Sequence, residues 1–308
     1  MKIFRSLDEI DDIERTVVAL GNFDGIHMGH RALITEAVRI SAERGLKSAI
    51  FTFSNHPKNV MSGETVVKNI LYEDEKVALI EELGIDYMFS PDFDETMMHI
   101  SPGDFAGKLL RDKFKADIAI CGFNFSYGYK AAGNAESLCE FGREMGFETV
   151  VKEPVTVDGE IVSSTLIRKK ITSGDVESAA MLMGRNYAIR GVVVYGNQLG
   201  RTIGFPTCNI TIDDSMVSPA NGVYVTYCHV DGKRRNSVTN VGNKPTIGNY
   251  SKNIETNILD FDENIYGSDV RIEFLKLMRT EEKFKGIEEL QSQLKKDVKF
   301  ARKYHKLP

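Results

Sequence analysis

Two histidines three residues apart, His27 and His30, share the stretch GNFDGIHMGH (21–30) with Asp24 and the glycines Gly21, Gly25 and Gly29. Imidazoles donate hydrogen bonds to phosphoryl oxygens and stabilise the charge that develops during transfer at phosphorus. The glycines let the backbone approach a ligand closely, and a helix beginning near Gly29 would offer it free N–H groups and a positive dipole end. No protein nucleophile is needed if a phosphate of the substrate itself attacks. An isolated HxxH pair is as readily a turn whose histidines pack or cap. The full ten residues, placed after the apolar run TVVAL where a strand should become a helix, read as a phosphate site.

Two further groups have the right types at the right spacing. In VSSTLIRKKI (162–171), Ser163, Ser164 and Thr165 can cap a helix while Arg168 projects one turn later, an arrangement that grips phosphate. Alone it is simply a helix cap. In VVVYGNQLGRTIGFPTCNI (192–210), Gly196, Gly200 and Gly204 with Arg201 make a loop able to fold around phosphates. Thr207 and Asn209 follow two apart, so an extended chain points both to one face, where hydroxyl and amide oxygens suit Mg²⁺. The plainer alternative is a Gly-Pro turn entering an edge strand. His99, His229 and His305 lack metal-like spacing and are read as surface or structural.

The elements that must hold these residues differ between the two halves. Up to about residue 183, apolar runs such as RTVVAL, KSAIFTF, IDYMFS, ADIAICG and FETVVK alternate with helical stretches such as HRALITEAVRISAERG and YEDEKVALIEELG. Strands separated by helices of this length predict βαβ units and a parallel sheet covered on both faces. Ligands of such sheets gather outside the carboxyl ends of the strands, so the turns after Leu20, Phe53 and Gly122 should line one crevice. Beyond SGDVESAAMLMGRN come six β-rich runs divided by Gly, Asn, Asp and Pro, with Asp231-Gly232 as a hairpin signal. They predict a small barrel or sandwich, closed by one amphipathic helix over about 286–302.

The chain's 308 residues suit two domains, 1–183 and 184–308. The net charge of -5 splits unevenly: 20 basic against 30 acidic residues over 1–183, and 19 against 14 over 184–308. The acidic first half argues against general nucleic-acid binding. No run is apolar and long enough to span a membrane, the first sixteen residues turn acidic by position 8, and the four cysteines form no CxxC pair. A cytoplasmic protein with reduced thiols is the expectation; its oligomeric state stays open.

GNFDGIHMGH resembles the HxGH signature of nucleotidylyltransferases, in the form found in bacterial bifunctional riboflavin kinase/FAD synthetases. FTFSNHP (51–57), CGFNFSYG (121–128) and VSSTLIRKKI resemble further segments of that family's first half, and the 192–210 segment resembles its riboflavin kinase motif G(R)xxGFPTxN, with Cys208 where alanine is common. ANGVYVTY, NVGNKPTIG and IETNILDFDENIYG match later kinase segments in order. The resemblance spans essentially the entire chain. It implies a Rossmann-like nucleotidylyltransferase domain followed by a six-stranded β-barrel kinase domain. It further implies ATP as co-substrate with Mg²⁺, and riboflavin, FMN and FAD as substrates and products. On it, His27, His30 and Arg168 serve adenylyl transfer, Glu255 is the base that takes the riboflavin hydroxyl proton, and Thr207 and Asn209 meet the metal. ATP falls to Gly21, Phe23, Asp24, Gly25, Gly29, Ser163, Ser164 and Thr165 in the first half, and to Gly196, Gly200, Arg201 and Gly204 in the second. Phe53, His56, Pro57 and Asn124 would hold the flavin, and Tyr127 and Tyr129 could stack on it or merely pack. One segment departs: YGYKAAGN (127–134) replaces the family's basic glycine-rich loop, with Lys130 where glycine is usual and Ala131 where arginine is. Two rivals therefore stand beside a bifunctional enzyme: a kinase whose first half adenylylates weakly or not at all, and a flavin-binding regulator without turnover.

Overall fold

The computed structural model describes residues 1–196, 199–246 and 249–307, which divide into two compact units, Met1–Ser164 and Thr165–Pro308. The first unit runs β1 (Lys2–Phe4), β2 (Thr16–Leu20), α1 (Met28–Arg44), β3 (Lys47–Phe51), α2 (Pro57–Ser62), α3 (Glu73–Glu82) and β4 (Tyr87–Phe89). Then come α4 (Glu95–His99), α5 (Pro102–Asp104), β5 (Ala116–Gly122), the pair β6 (Ser126–Tyr127) and β7 (Gly133–Asn134), α6 (Ala135–Met145), β8 (Glu148–Lys152), and the pair β9 (Thr156–Val157) and β10 (Glu160–Ile161). Six strands form one all-parallel sheet in the order β1-β4-β3-β2-β5-β8. An apolar strand must be covered on both faces, and β2 is buried along its whole length. Val17 and Ala19 join one apolar layer with Ile34 and Ile50, while Val18 and Leu20 join the other with Phe51 and Phe114. The strand order reverses between β2 and β5, and ligands of such sheets collect outside that reversal.

The local signals hold in most places. α1 ends at Gly45 with φ 66, the left-handed stop that a glycine there predicts. The helix entered through Ser101-Pro102 differs: after α5 it continues over Phe105–Lys113 as a π-helix, with the Phe114 N–H reaching the Leu109 carbonyl at 2.8 Å.

α7 (Ser164–Thr172) opens at the division. The second unit continues with α8 (Val176–Met183), β11 (Tyr187–Val192), α9 (Leu199–Thr202), β12 (Cys208–Thr211), β13 (Gly222–Val230), β14 (Lys233–Thr246), β15 (Asn249–Ile258), β16 (Asp269–Arg279) and α10 (Ile287–Tyr304). Its six strands pair antiparallel in the order β11-β16-β13-β14-β15-β12. A bridge between Val194 and Asn209 brings the first strand's continuation back to the last, so the sheet nearly closes into a barrel. Asp231 and Gly232 turn with φ 50 and φ 70, the two left-handed residues that a tight hairpin needs. α10 packs Ala301 and Val298 on Val223 and Val225, and its Asp297 pairs with Arg279 at 2.8 Å. The contact division at 164/165 differs from a boundary at 183/184 because α8 packs on β11 and β16. It buries Val176, Ala179, Leu182 and Met183, and Glu177 pairs with Lys276 at 2.9 Å.

Candidate active sites

The turn after β2 is held from several sides. Gly25 has φ 85, and a side chain there would press on Ile70. Phe23 and Ile26, both fully buried, also have positive φ, 48 and 35, a strain that persists only where surroundings over-determine it. Three contacts do so: Asn22 accepts from the buried Thr52 hydroxyl at 2.9 Å, the Asp24 carboxylate accepts from the Ile70 N–H at 3.0 Å, and the Asp24 carbonyl accepts from the Ser164 hydroxyl at 2.9 Å. Asp24 thus holds the turn together. Gly21 leaves room for the Phe23 ring, and Gly29 for the His27 ring.

His27 caps α1. Its Nδ1 accepts the His30 N–H at 3.2 Å, so the neutral ring carries its proton on Nε2, the nitrogen that can donate. His27 is only 5% exposed, and the His30 ring stacks on it with centroids 3.6 Å apart. Ser164 is brought to this turn by its hydroxyl, and Ser163 directly precedes it. Thr165 and Arg168 follow on α7, within the second unit; Thr165 is exposed and Arg168 half-buried.

The carboxyl ends of β3 and β5 carry the other residues of this half. His56 caps α2 through Nδ1, which accepts from the Lys58 N–H, and Pro57 occupies the first helical position. Phe53 sits edge-on to both Phe51 and Phe93 at 5.1 Å. Asn124 is exposed just past β5, beside the strand reversal. In the departing loop, Tyr127 is buried, its ring filling the space where a Gly133 side chain would stand, and burial pushes its hydroxyl pKa up. It is therefore packing. Tyr129 stays exposed, stacked on His99 at 5.1 Å, with the Lys130 ammonium 5.2 Å over its ring. Lys130 and Ala131 both take positive φ, 53 and 54.

In the second unit the candidate residues are placed by strand register. Asn209 on β12 stands directly opposite Glu255 on β15, and cross-strand partners share a face. Asn253, two residues before Glu255 and so on that same face, donates to the Glu255 carboxylate at 3.0 Å and to the Asn209 amide oxygen at 3.4 Å. Asn209 is 6% exposed. Gly196 is required here, because a methyl group on it would overlap the Asn209 amide. Gly200 lies against the Phe205 carbonyl and accepts the Phe205 N–H, while Gly204 has φ 84 and open space around it. The Arg201 side chain, residues 197–198 and the tip of NVGNKPTIG at 247–248 lie outside the described residues. A cavity of about 330 Å³ adjoins the face, lined by Val193, Thr207, Asn209, Thr256, Phe261 and Tyr266 among others. Glu255 lies beside this cavity's Asn209 and does not line it. Cys208 also lines it; a hydrogen bond with Cys228 holds the Cys208 thiol below its ordinary range and pushes the Cys228 thiol up.

Sequence reading missed Thr52 and Asn253, although alternation in IETNILDF's strand places Asn253 beside Glu255 once the base is located. Phe261 and Tyr266 lie in the quoted IETNILDFDENIYG segment, but their place in a cavity wall depends on a loop and not on periodicity.

Residues 9–166 match the family model described as FAD synthetase, and residues 183–305 match the model described as riboflavin kinase. A bifunctional riboflavin kinase/FMN adenylyltransferase of Bacillus subtilis is 36% identical over 296 residues, 94% of this chain and 92% of that protein. The protein of that name from Escherichia coli K12 is 30% identical over 99% of this chain and 98% of its own length. A solved structure from Streptococcus pneumoniae, described as a macrolide-efflux protein, superposes with a TM-score of 0.89 at 30% identity, covering 97% of this chain and 98% of that one. Among the described residues, no helix is long and apolar enough to cross a membrane.

Proposed function

The chain belongs to the bifunctional riboflavin kinase/FMN adenylyltransferase family, and from that premise we propose how its residues divide two reactions. The protein phosphorylates riboflavin with ATP to give FMN, then transfers AMP from a second ATP to FMN, giving FAD and pyrophosphate. Relatives named for both activities favour this over a kinase alone or a silent flavin binder.

In the kinase, Glu255 takes the proton of the ribityl hydroxyl as that oxygen attacks the terminal phosphorus of ATP. Asn253 orients the Glu255 carboxylate through its amide hydrogen bond. Thr207 and Asn209 offer a hydroxyl and an amide oxygen, hard donors that fit Mg²⁺, and among the described residues no three His, Cys, Asp or Glu side chains converge as a metal cage. The ion would arrive with ATP and offset phosphate charge there. ATP occupies the cavity beside Thr207 and Asn209, covered by the loop of Gly196, Gly200, Arg201 and Gly204.

In adenylyl transfer, a phosphate oxygen of FMN attacks the α-phosphorus of ATP, and the bond to pyrophosphate breaks. His27 donates from Nε2 to the charged phosphoryl oxygens, and His30 supports it by stacking and through its backbone N–H to Nδ1. The start of α1 behind Gly29 adds N–H donors. Ser163, Ser164, Thr165 and Arg168 hold the leaving pyrophosphate, and Phe53, His56, Pro57 and Asn124 hold the flavin. The functional division then falls near 183/184, and we place the enzyme in the cytoplasm.

The observation that carries this division is the Asn209–Glu255 pairing, a base and a phosphate-side amide on one face of the second unit, remote in sequence from the histidine turn. Chromatography of products from riboflavin and ATP tests it. FMN followed by FAD is expected; FMN accumulating without FAD would reduce the first half to a remnant.

A further inference from the structure

Lysine is almost never fully buried unless paired, and Lys76 in the first turn of α3 is only 7% exposed. Its ammonium meets the Glu73 carboxylate at 2.7 Å and donates to the Phe53 carbonyl at 3.2 Å. Glu73 is held in turn by Arg5 at 2.8 Å, just past β1. The chain Arg5–Glu73–Lys76 therefore ends on one backbone oxygen, that of the residue with which FTFSNHP leaves β3. The remainder of that segment is stitched on its other side: Ser54 to Asp92, and the Asn55 carboxamide oxygen to the Phe93 N–H at 2.8 Å. The Phe53 ring is wedged between Phe51 and Phe93.

We propose that Lys76 is a positioning residue for FMN in adenylyl transfer, acting by fixing the Phe53 carbonyl and with it the Phe53–Pro57 segment. The inference rests on the reading that this segment holds the flavin. The geometry favours positioning over a direct charge effect. The ammonium is engaged by the Glu73 carboxylate and by a carbonyl within the fold, so what it does for FMN passes through the backbone it holds. Loss of the hydrogen bond should loosen the seat of FMN while leaving ATP binding and the transfer step as they are.

The test uses the full-length protein and steady-state FAD formation with FMN and ATP varied separately. Lys76→Met should raise KM for FMN about tenfold, the scale of one lost hydrogen bond to a charged group. The KM for ATP and kcat should hold, and riboflavin phosphorylation in the same preparation serves as the control for intact folding of the other unit. Lys76→Gln, which keeps a donor for the carbonyl without the charge, should recover most of the loss. Equal damage by Met and Gln, or a fall in kcat or rise in ATP KM, overturns the proposal in favour of a charge role. Phe53→Ala separates the two layers of the argument. An unchanged FMN KM in Phe53→Ala refutes the flavin reading itself, whereas a raised one beside an unchanged Lys76→Met refutes only the role of Lys76. A thermal melt of Lys76→Met showing a collapsed first unit would assign Lys76 to stability and overturn the proposal, unless Lys76→Gln melts normally and shows the same FMN-specific KM split.

Discussion

On the division of roles proposed above, the two units solve phosphate chemistry with different parts of the chain. In the first, function is built into backbone: a turn with positive φ at Phe23, Gly25 and Ile26 delivers two stacked imidazoles and a helix start to one place. In the second, an antiparallel register lays Asn209, Glu255 and Asn253 side by side, and the backbone beneath them is ordinary strand. A turn of that kind is all-or-none, because any residue that relaxes it moves every ligand group together. A strand lattice is modular, because one side chain can change while its neighbours keep their positions.

The largest effects should come from cutting that modular site. Glu255→Gln is nearly isosteric and keeps hydrogen-bonding capacity but cannot accept the hydroxyl proton, so FMN formation should fall about 10²–10⁴-fold. Conversion of supplied FMN to FAD should continue, since its nucleophile is already ionised. Loss of both activities in a folded Glu255→Gln protein would mean a shared site and would erase the contrast drawn above. The reciprocal change, His27→Ala, should cut FAD formation by about 10²–10³-fold, the worth of one donor at a developing charge, and spare the kinase. Gly196→Ala sharpens the comparison from the backbone side. Its methyl group displaces the Asn209 amide, so kinase rate should drop about 10–10²-fold with no change in FAD formation from FMN.

How much of this was legible follows the same contrast. Glycine stops, the Asp231-Gly232 hairpin and the alternation of apolar strands and helices are local physics, and they located the sheet, the barrel and α10 from sequence. The histidine turn was legible because strand, glycines and helix start adjoin in sequence. The convergence of Asn209 with Glu255 was not, because register between strands 46 residues apart is set by the whole barrel and only the family resemblance pointed to it. Asp24 shows what motif reading leaves out: beside the ATP contact expected of it, its carboxylate accepts the Ile70 N–H and ties the turn to a segment 46 residues away. The same limit explains α8, which extends the helical rhythm of the first half in sequence but buries its apolar side against β11 and β16.

That helix gives a smaller but direct test of where the units part. Val176, Ala179, Leu182 and Met183 are all buried, and large apolar side chains contribute about 1.5–3 kcal/mol each when fully covered. A fragment of 165–308 should therefore melt well above one of 184–308, and both should make FMN if the barrel holds the whole kinase. Equal melting temperatures would return α8 to the first half and favour a structural boundary near 183.

The smallest expected effect is a pH dependence of the barrel's stability. His305 caps the end of α10, with its ring 5.1 Å from Tyr227. Burial holds its imidazole pKa below the ordinary value of 6.5; the backbone of Ser237 and Thr226 opposes that shift and Arg234 adds to it. The folded chain thus prefers the neutral ring, and the unfolded chain takes up the proton first as pH falls. Between pH 6.5 and the lower folded value, the unfolded state binds more protons, so stability is full above about 6.5 and declines below it. Melting curves of the 165–308 fragment from pH 8 to pH 5 should show this decline, and His305→Phe should flatten it while leaving Glu255-dependent kinase activity unchanged. A decline of equal size in the His305→Phe fragment would trace the pH dependence to groups other than His305 and overturn this assignment.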